Sequence, residues 1–210
     1  DGPQWPAALT AAAGFVLLGL RSEEVVVLHP SDGGVLARFE TDDEVNSAVV
    51  SVGDLLLYSS RSGSLSAHRW PSGELVWRDP DAEVAGFTPY AGDLLLATAG
   101  GLERRGLTNE PRWRYPSDPA GTAPTVCGDA LCFVTRTGWL HGVSPDGAGR
   151  FRVELGEVTA QPAAKGDVLL LPEREGDLHA FSLKTFDVLW SYDMEGPLWA
   201  SPLVWGPYVY

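Results

Sequence analysis

Residues 53–77, GDLLLYSSRSGSLSAHRWPSGELVW, carry the pattern that the rest of the chain repeats. The stretch contains three groups of four or five β-prone residues, separated by turns rich in Gly, Pro and Ser: 55–58, 64–68 and 74–77. Such groups are typical of short strands joined by hairpin turns. Two or three short strands bury too little apolar surface to fold alone in water. The stretch is therefore predicted to need neighbours of the same kind.

A glycine followed by an apolar run recurs along the whole chain at separations of 39, 39, 36, 38 and 40 residues. These glycines are Gly14, Gly53, Gly92, Gly128, Gly166 and Gly206. A large aromatic residue closes each complete unit with a similar period: Phe39, Trp77, Trp113, Phe151 and Trp190. Because two independent markers keep one period, the sequence predicts a repeated structural unit of about 40 residues.

Each complete unit is predicted to hold four strands, which we name A to D in chain order. The predicted units span residues 4–41, 42–79, 82–115, 119–153 and 156–194, and an incomplete sixth unit spans 196–210. Only three strands are evident in the third unit: 94–98, 102–105 and 112–115. Strand B runs such as LLLY and VLLL are apolar on both faces, as expected for a strand covered on both sides.

Four-stranded units of about 40 residues with short turns are typical of a β-propeller. The sequence therefore predicts an all-β fold in which residues 1–210 form a single β-propeller domain. We expect five full blades and half a sixth, as part of a propeller of seven or eight blades. The chain begins at Asp1 without a basic leader region, so we expect a trimmed or matured amino-terminal end.

The formal net charge of the chain is -13 at pH 7, and the acidic residues are spread without a long run. Nucleic acids and anionic membranes both require a basic face, so neither is expected as a partner. No apolar stretch approaches the ~20 residues that a membrane-spanning helix needs. The acidic surface is expected to support solubility.

The two cysteines, Cys127 and Cys132, lie in the segment TVCGDALCFV. If residues 129–130 form a two-residue hairpin loop, the cysteines face each other on adjacent strands, at a spacing close to that of a disulfide. The CxxxxC spacing without two further ligands is unsuited to a metal. A disulfide and a pair of reduced core cysteines both remain open. A disulfide favours a periplasmic or extracellular location, and the alternative location is the cytoplasm.

The sequence lacks the common motifs of hydrolases, nucleotide-binding proteins and zinc proteases. Four histidines fall near strand C of four units, with the first pair and the second pair at equivalent positions: His29 and His68, His141 and His179. Stacked sheets lie about 10 Å apart, too far for a shared metal ion. The acidic groups at 42–44 and 173–175 are formal candidates for acid–base chemistry, but we expect them to be solvated turn residues. We predict no catalysis, no cofactor and no metal site.

The repeat resembles the pyrroloquinoline-quinone-type propeller repeat, in which an Ala, a late Gly and a Trp form a docking arrangement between neighbouring blades. The second unit carries all three as Ala67, Gly73 and Trp77. The other units match in part. The fifth unit has Ala180 and Trp190, with Phe186 in place of the Gly. At the Ala and Trp positions, the third unit has Arg104 and Trp113, the fourth has Gly142 and Phe151, and the first has Leu28 and Phe39. We interpret these rings as packing between blades, since each buries ~150–250 Å². Four aromatic residues near the carboxyl end are expected to be core residues, on a surface that strands C and D of the sixth unit would normally cover: Trp199, Trp205, Tyr208 and Tyr210.

Repeats similar to this one occur in quinoprotein dehydrogenases, in BamB-like outer-membrane-protein assembly factors and in kinase-linked sensor domains. Quinoprotein dehydrogenases carry adjacent cysteines and a calcium site built from Glu, Asn and Asp. Here four residues separate the cysteines, and Asn46 and Asn109 are the only asparagines. The resemblance, closest to the BamB-like factors, implies a non-catalytic scaffold that binds protein segments at its loops or blade edges. The alternatives are a dehydrogenase fragment and the ligand-sensing ectodomain of a membrane kinase.

Overall fold

The computed structural model describes residues 6–12 and 14–210, which form β-strands joined by turns. Residues 4–5 of the first predicted unit lie outside the described residues. In the described part, the strands form five four-stranded antiparallel sheets, each in chain order, and one two-stranded sheet. We call the five sheets blades 1 to 5. The sequence predicts this arrangement: five complete four-stranded units followed by a two-stranded one.

The strands are named in chain order. Blade 1 contains β1 (Pro6–Ala12), β2 (Phe15–Leu20), β3 (Glu24–Leu28) and β4 (Val35–Glu40). Blade 2 contains β5 (Val50–Val52), β6 (Leu55–Ser59), β7 (Leu65–Arg69) and β8 (Leu75–Asp79). Blade 3 contains β9 (Val84–Tyr90), β10 (Asp93–Thr98), β11 (Gly101–Gly106) and β12 (Pro111–Pro116). Blade 4 contains β13 (Thr125–Cys127), β14 (Ala130–Val134), β15 (Trp139–Val143) and β16 (Gly149–Glu154). Blade 5 contains β17 (Ala163–Lys165), β18 (Val168–Pro172), β19 (Asp177–Ser182) and β20 (Val188–Asp193), and the last sheet pairs β21 (Val204–Trp205) with β22 (Tyr208–Val209).

The chain divides into two compact units, Asp1–Val84 and Ala85–Tyr210. The first unit holds blades 1 and 2, and the second holds blades 4 and 5, the last sheet and nearly all of blade 3. The organisation of residues 1–210 as one domain stays a prediction. No helix of the described residues is long and apolar enough to cross a membrane.

The repeated glycines lie in the turns between strand A and strand B. Gly53 and Gly128 have φ angles of +61° and +62°, in the left-handed region that glycine adopts without steric cost. A positive φ at the first residue of a two-residue hairpin turn matches the twist of the flanking strands. In blades 1 and 3 the glycine instead lies directly before strand B, so the sequence period marks the turn but not one fixed position within it.

Strand β9 of blade 3 was not evident in the sequence, where only three strands were expected in this unit. Gly86 and Pro89 lie within it, and both residues weaken a strand pattern. The strand needs its glycine, because a Cβ atom at Gly86 would lie 2.7 Å from the Cβ of Ala123. Tertiary contact with blade 4 therefore decides the conformation of this segment.

The buried side chains of each unit join neighbouring blades into continuous cores. In the first unit, one cluster of buried residues connects blades 1 and 2: Leu17, Val25, Val27, Val45, Val49, Leu56 and Tyr58. In the second unit, one cluster joins blades 3 and 4 and another joins blades 4 and 5. All five residues of β6 and of β14 are buried. Strand B is therefore covered on both faces, as predicted from its apolar runs.

The pairing of strands C and D contains the same irregularity in every blade. The register shifts after Val27, Ala67, Arg104, Gly142 and Ala180. The residue before this bulge pairs with the docking aromatic in four blades: Ala67 with Trp77, Arg104 with Trp113, Gly142 with Phe151, and Ala180 with Trp190. In blade 1 it pairs with Ala37, whereas Phe39 pairs with Val25.

The expected positions in blade 1 are therefore wrong. Val27, not Leu28, is equivalent to Ala67, because each lies immediately before the bulge. The same register makes Leu28 the equivalent of His68 and places His29 after the end of β3. The repeated glycine lies one residue closer to strand B in blade 1 than in blade 2, so counting from Gly14 misplaced both residues by one.

Aromatic side chains of strand D contact the next blade within each unit. The ring of Trp113 in blade 3 lies against Gly147 in blade 4, where an added Cβ would be 2.9 Å from the ring. Its Nε1–H donates a hydrogen bond to the Pro145 carbonyl over 3.0 Å. In blade 5, Phe186 replaces the glycine with a φ of +59°, and its ring centroid lies 5.0 Å from that of Phe151. These contacts support the interpretation that the rings pack between blades.

The aromatic residues near the carboxyl end, expected to be core residues beneath strands C and D of the sixth unit, are exposed in the described structure. Their exposed fractions range from 62% to 73%: Trp199, Trp205, Tyr208 and Tyr210. Strands β21 and β22 pair only with each other among the described strands. Among the described residues, no strand C or D joins this sheet to cover these side chains.

Candidate protein-binding surface

One end of the blades is built from the turn after strand B and the loop that precedes strand A. An isolated bridge joins these two segments in blades 2, 4 and 5. The next residue of the turn is an arginine in all three blades: Arg61, Arg136 and Arg174. The backbone N–H of each donates to a carbonyl of the loop, on Glu44, Pro119 and Glu157, over 2.8 to 3.2 Å. The backbone therefore fixes three arginines at one repeated position.

The side chains of two of these arginines are neutralised locally. Arg61 pairs with Glu44 at 3.2 Å, and Arg174 pairs with Glu157 at 2.7 Å. Both pairs are largely exposed, so each contributes about 0–1 kcal/mol to stability. In blade 4, Pro119 stands where the other blades have glutamate, and the exposed Arg136 makes no ion pair with the described residues. Of the three arginines, the one in blade 4 is thus a cation without an ion-pair partner among the described residues.

A cavity of about 330 Å³ opens at this end of the first unit. Its lining combines two cations, one carboxylate, one carboxamide and one apolar residue: Arg21, Arg61, Glu44, Asn46 and Val45. Val45 is fully buried, and its N–H donates to the Leu20 carbonyl over 3.2 Å, which ties the loop of blade 2 to blade 1. The Asn46 amide oxygen accepts a hydrogen bond from the Ser59 hydroxyl over 3.1 Å. The cavity therefore has a fixed floor and polar walls.

The acidic group at residues 42–44, considered for acid–base chemistry, makes structural contacts instead of lying free in solvent. Asp42 pairs with Arg78 at 3.2 Å, and Glu44 pairs with Arg61. The Asp43 carboxylate accepts the backbone N–H groups of Glu44 and Ser62, each over 2.8 Å. These hydrogen bonds hold the pKa of Asp43 below its ordinary value. In the acidic group at residues 173–175, the Glu173 carboxylate lies 3.3 Å from the His179 imidazole.

Two of the four histidines are buried packing residues. The His68 Nδ1 lies 3.0 Å from the Gly73 carbonyl and its Nε2 lies 3.0 Å from the Tyr58 hydroxyl. His141 stacks on Phe133, and its Nδ1 lies 3.1 Å from a tyrosine hydroxyl, that of Tyr115. Burial lowers the pKa of both imidazoles.

The other two histidines have local partners. His29 is exposed beside Ser31, and His179 pairs with Glu173. Among the described residues, no group of three or more His, Cys, Asp or Glu side chains is arranged to hold a metal ion. The histidines therefore contribute to packing and polar contacts in separate blades.

The two cysteines are buried between blades 4 and 5 and lie in disulfide contact, with Cα atoms 6.0 Å apart. The hairpin turn falls at 128–129, so Cys127 pairs with Ala130 and Cys132 with Thr125. The expected loop at 129–130 is therefore wrong, and the cysteines are diagonal instead of directly opposite. A diagonal pair on one face remains close enough for a disulfide. Their oxidation in the cell stays a prediction.

A second, apolar surface lies on the last blade of the second unit. A cavity of about 170 Å³ is bounded by β18, β20 and the last sheet, with Leu170, Trp190, Val204 and Tyr208 among its lining residues. All six residues of the neighbouring outer strand β20 are exposed. Leu189 and Tyr192 on this strand have exposed fractions of 53% and 62%. The surface combines aromatic area with an outer strand, features of a surface that can receive an extended peptide.

Comparisons with known proteins connect this chain to one curated relative along most of its length. The chain is 24% identical over 191 residues to the outer membrane protein assembly factor BamB of Shewanella oneidensis, covering 90% of the chain and 44% of that protein. It is 34% identical over 74 residues to the DNA damage-responsive serine/threonine-protein kinase RqkA of Deinococcus radiodurans, covering 35% of the chain and 11% of the kinase. The chain thus spans less than half the length of these relatives. No protein-family profile matches it.

Solved structures give the same connection at the level of the fold. The crystal structure of BamB from Moraxella catarrhalis matches with a TM-score of 0.76 at 21% identity, covering 93% of the chain and 63% of that structure. The computationally designed protein Ika8 matches with a TM-score of 0.74 at 11% identity, covering 96% and 65%. The predicted β-propeller fold is confirmed. So is the predicted similarity to BamB, in sequence and in fold, along nearly the whole chain.

Proposed function

We propose that this chain belongs to a non-catalytic scaffold that binds segments of other proteins during outer membrane protein assembly, as the name of its relative BamB describes. The observation that carries the proposal is the similarity to BamB over 90% of the chain in sequence and 93% in structure. The similarity to an assembly factor supports a binding role over an enzymatic one. Because the chain spans 44% of the curated BamB, the role of the whole protein is part of the proposal.

The two surfaces described above supply places where a partner segment would bind. The loop end of the first unit offers a cavity with cationic groups, and the outer strand β20 offers exposed apolar and aromatic side chains. Outer strands also carry unpaired backbone groups, to which an extended peptide can add as a further strand. The proposed location is the periplasmic side of the envelope, which the relation to BamB and the disulfide contact of Cys127 and Cys132 support.

The proposal is tested by deleting, in its own host, the gene that contains this chain. We expect lower amounts of outer membrane proteins in isolated outer membranes, measured by quantitative mass spectrometry, with recovery when the gene is restored. In the restored strain, cross-linking should join the protein to a component of the outer membrane assembly machinery. Unchanged outer membrane proteins together with no such cross-link would overturn the scaffold proposal.

A second candidate function is ligand sensing in a protein linked to a kinase. The observation that favours it is the 34% identity to RqkA, which is higher than the identity to BamB but covers only 35% of the chain. A kinase domain in the same gene, with autophosphorylation that depends on the blades, would support this candidate against the assembly factor.

A further inference from the structure

The cavity of the first unit carries an inference about what this scaffold binds, and this inference rests on the proposed function. Three segments meet there: the turn after β2, the loop before β5 and the turn after β6. The cavity volume of about 330 Å³ is at the lower end of small-molecule sites. It therefore suits a single side chain or a chain terminus, and it is too small for a folded element.

The residues that line the cavity carry two guanidinium groups and one carboxylate. The single carboxylate of the lining, on Glu44, is held by Arg61 at 3.2 Å. Among the nearby carboxylates, Asp42 pairs with Arg78, and Asp43, which does not line the cavity, keeps its charge while it accepts two backbone N–H groups. Arg21 is exposed and makes no ion pair with the described residues. Within the lining, and among the described residues, the Arg21 guanidinium is thus the cation without a paired carboxylate, on a chain whose net charge is -13.

The remaining polar wall is suited to an acceptor group. The Asn46 side chain uses its amide oxygen toward Ser59, so its NH2 group is left to donate. A guanidinium presents paired N–H donors that match the two oxygens of a carboxylate. An anion with two acceptor oxygens would satisfy both the free guanidinium and the amide donors.

We propose that this cavity binds a carboxylate group of a partner polypeptide, with Arg21 as the primary cation and Asn46 as a second donor. The carboxylate belongs either to a chain terminus or to an Asp or Glu side chain, and both share the chemistry that the cavity recognises. Because Arg21 is exposed, the pairing is weakened by salt. The site adds a specific contact to a longer partner segment and does not hold the partner alone.

The test uses the full chain with three short probes, observed by NMR of its backbone amides. The probes are N-acetyl-dialanine with a free carboxylate, the same peptide as the carboxyl-terminal amide, and N-acetyl-aspartate amide. We expect millimolar binding of the first probe, the third or both, with shifts at residues 44–46 and 61–62, and no binding of the amidated dialanine. The comparison of the first and third probes separates a chain terminus from an acidic side chain.

Two charge-matched variants make the test specific. Arg21→Gln is expected to weaken binding by about tenfold or more, which corresponds to the loss of a charged hydrogen-bonding pair. Arg69→Gln changes the net charge equally but lies outside the cavity, at the exposed end of β7, so binding is expected to stay within about twofold. Both residues are exposed, so both variants should keep the wild-type melting temperature.

Equal binding of free and amidated peptides, an equal loss in both variants, or shifts that map away from the cavity would overturn the carboxylate site. The scaffold proposal would survive that result if cross-linking to the assembly machinery persists. Conversely, the scaffold proposal would be overturned and the carboxylate site kept if the protein binds carboxylate, its deletion leaves outer membrane proteins unchanged, and it forms no cross-link to the assembly machinery. The two failures are therefore distinguishable.

Discussion

Single buried histidines connect the stability of this protein to pH. Burial lowers the pKa of His68 and of His141 below the ordinary value of 6.5, and both lie in the core of their blades. As pH falls through 6.5, the unfolded chain binds protons that the folded chain does not. The stability contributed by the neutral imidazoles is thus complete above pH 6.5 and is lost as pH falls toward the lowered folded-state pKa.

We therefore predict that the free energy of unfolding decreases between pH 7 and pH 5, by at most about 1.4 kcal/mol per pH unit for each histidine. His68→Gln should reduce this slope, because it removes an imidazole whose pKa burial lowers in the folded state. The measurement is denaturant unfolding at several pH values. Carboxylates with a lowered pKa, such as Asp43, lose their contribution only below about pH 4. A slope that is identical in the wild type and His68→Gln would contradict the assignment.

The cysteine pair gives a second prediction at the residue scale. If Cys127 and Cys132 form a disulfide in the cell, a reductant should destabilise the purified protein by roughly 2 kcal/mol, because the bond closes only a short loop. The Cys127→Ala/Cys132→Ala variant has no bond to break, so its melting temperature should not respond to the reductant. Thiol titration of the unreduced protein should find no free thiol. Two titratable thiols and no response of the wild type would show reduced cysteines.

The positions of individual residues could be predicted from the sequence where a turn residue or a charge determines them. The proximity of the cysteines followed from the hairpin at Gly128, but the register was wrong by one residue, because Gly128 itself occupies the turn with a positive φ. The cavity at Arg21 could not be predicted, since its lining comes from three segments that only the stacking of blades 1 and 2 brings together. A recurring arginine eight residues after the repeated glycine, at 61, 136 and 174, was the sequence signal for that end of the blades.

At the scale of elements, the bulge between strands C and D determines which aromatic side chains reach the next blade. Trp113 and Trp190 occupy the same position relative to this bulge. Trp113 is half-buried against Gly147 and donates to the Pro145 carbonyl, whereas Trp190 is 45% exposed. The same substitution at both positions changes strand preference equally, so a difference in the loss of stability measures the packing between blades.

We predict that Trp113→Ala lowers the free energy of unfolding by about 3 kcal/mol or more, since it removes a packed ring and leaves a cavity. Trp190→Ala should cost less than half as much, because much of its ring is already in water. Chemical denaturation of both variants beside the wild type measures the difference. Equal losses at the two positions would mean that the contact with Gly147 is not the source of stability.

The strands themselves were largely predictable, because each blade repeats the same turns and the same apolar strand B. Blade 3 shows the limit of this reasoning. Strand β9 contains Gly86 and Pro89, which weaken the local pattern, and the close approach of Ala123 requires the glycine. A contact between blades thus overrides the local preference of the segment.

At the scale of the whole chain, periodicity predicted the fold far better than it predicted function. The repeated glycines and aromatics specify turns and packing, which every propeller of this kind needs whatever it binds. A binding site lies in loops that differ from blade to blade, as the replacement of a glutamate by Pro119 beside Arg136 illustrates. The similarity to BamB supplies the functional direction that the repeat alone does not contain.

The resemblance to quinone-type repeats leads to a last prediction, which concerns the chain as a whole. A ligand at 100 times its dissociation constant stabilises the folded state by ~2.7 kcal/mol, which raises the melting temperature of a chain of this length by roughly 5–10 °C. We expect pyrroloquinoline quinone with calcium to leave the melting temperature and the quinone absorbance unchanged. The physical reason is the lack of adjacent cysteines and the scarcity of asparagine, with Asn46 committed to Ser59. A quinoprotein dehydrogenase treated in parallel should show the shift in melting temperature. A comparable shift in this chain, together with oxidation of an alcohol or a sugar, would show that the chain belongs to an enzyme and would contradict the scaffold proposal.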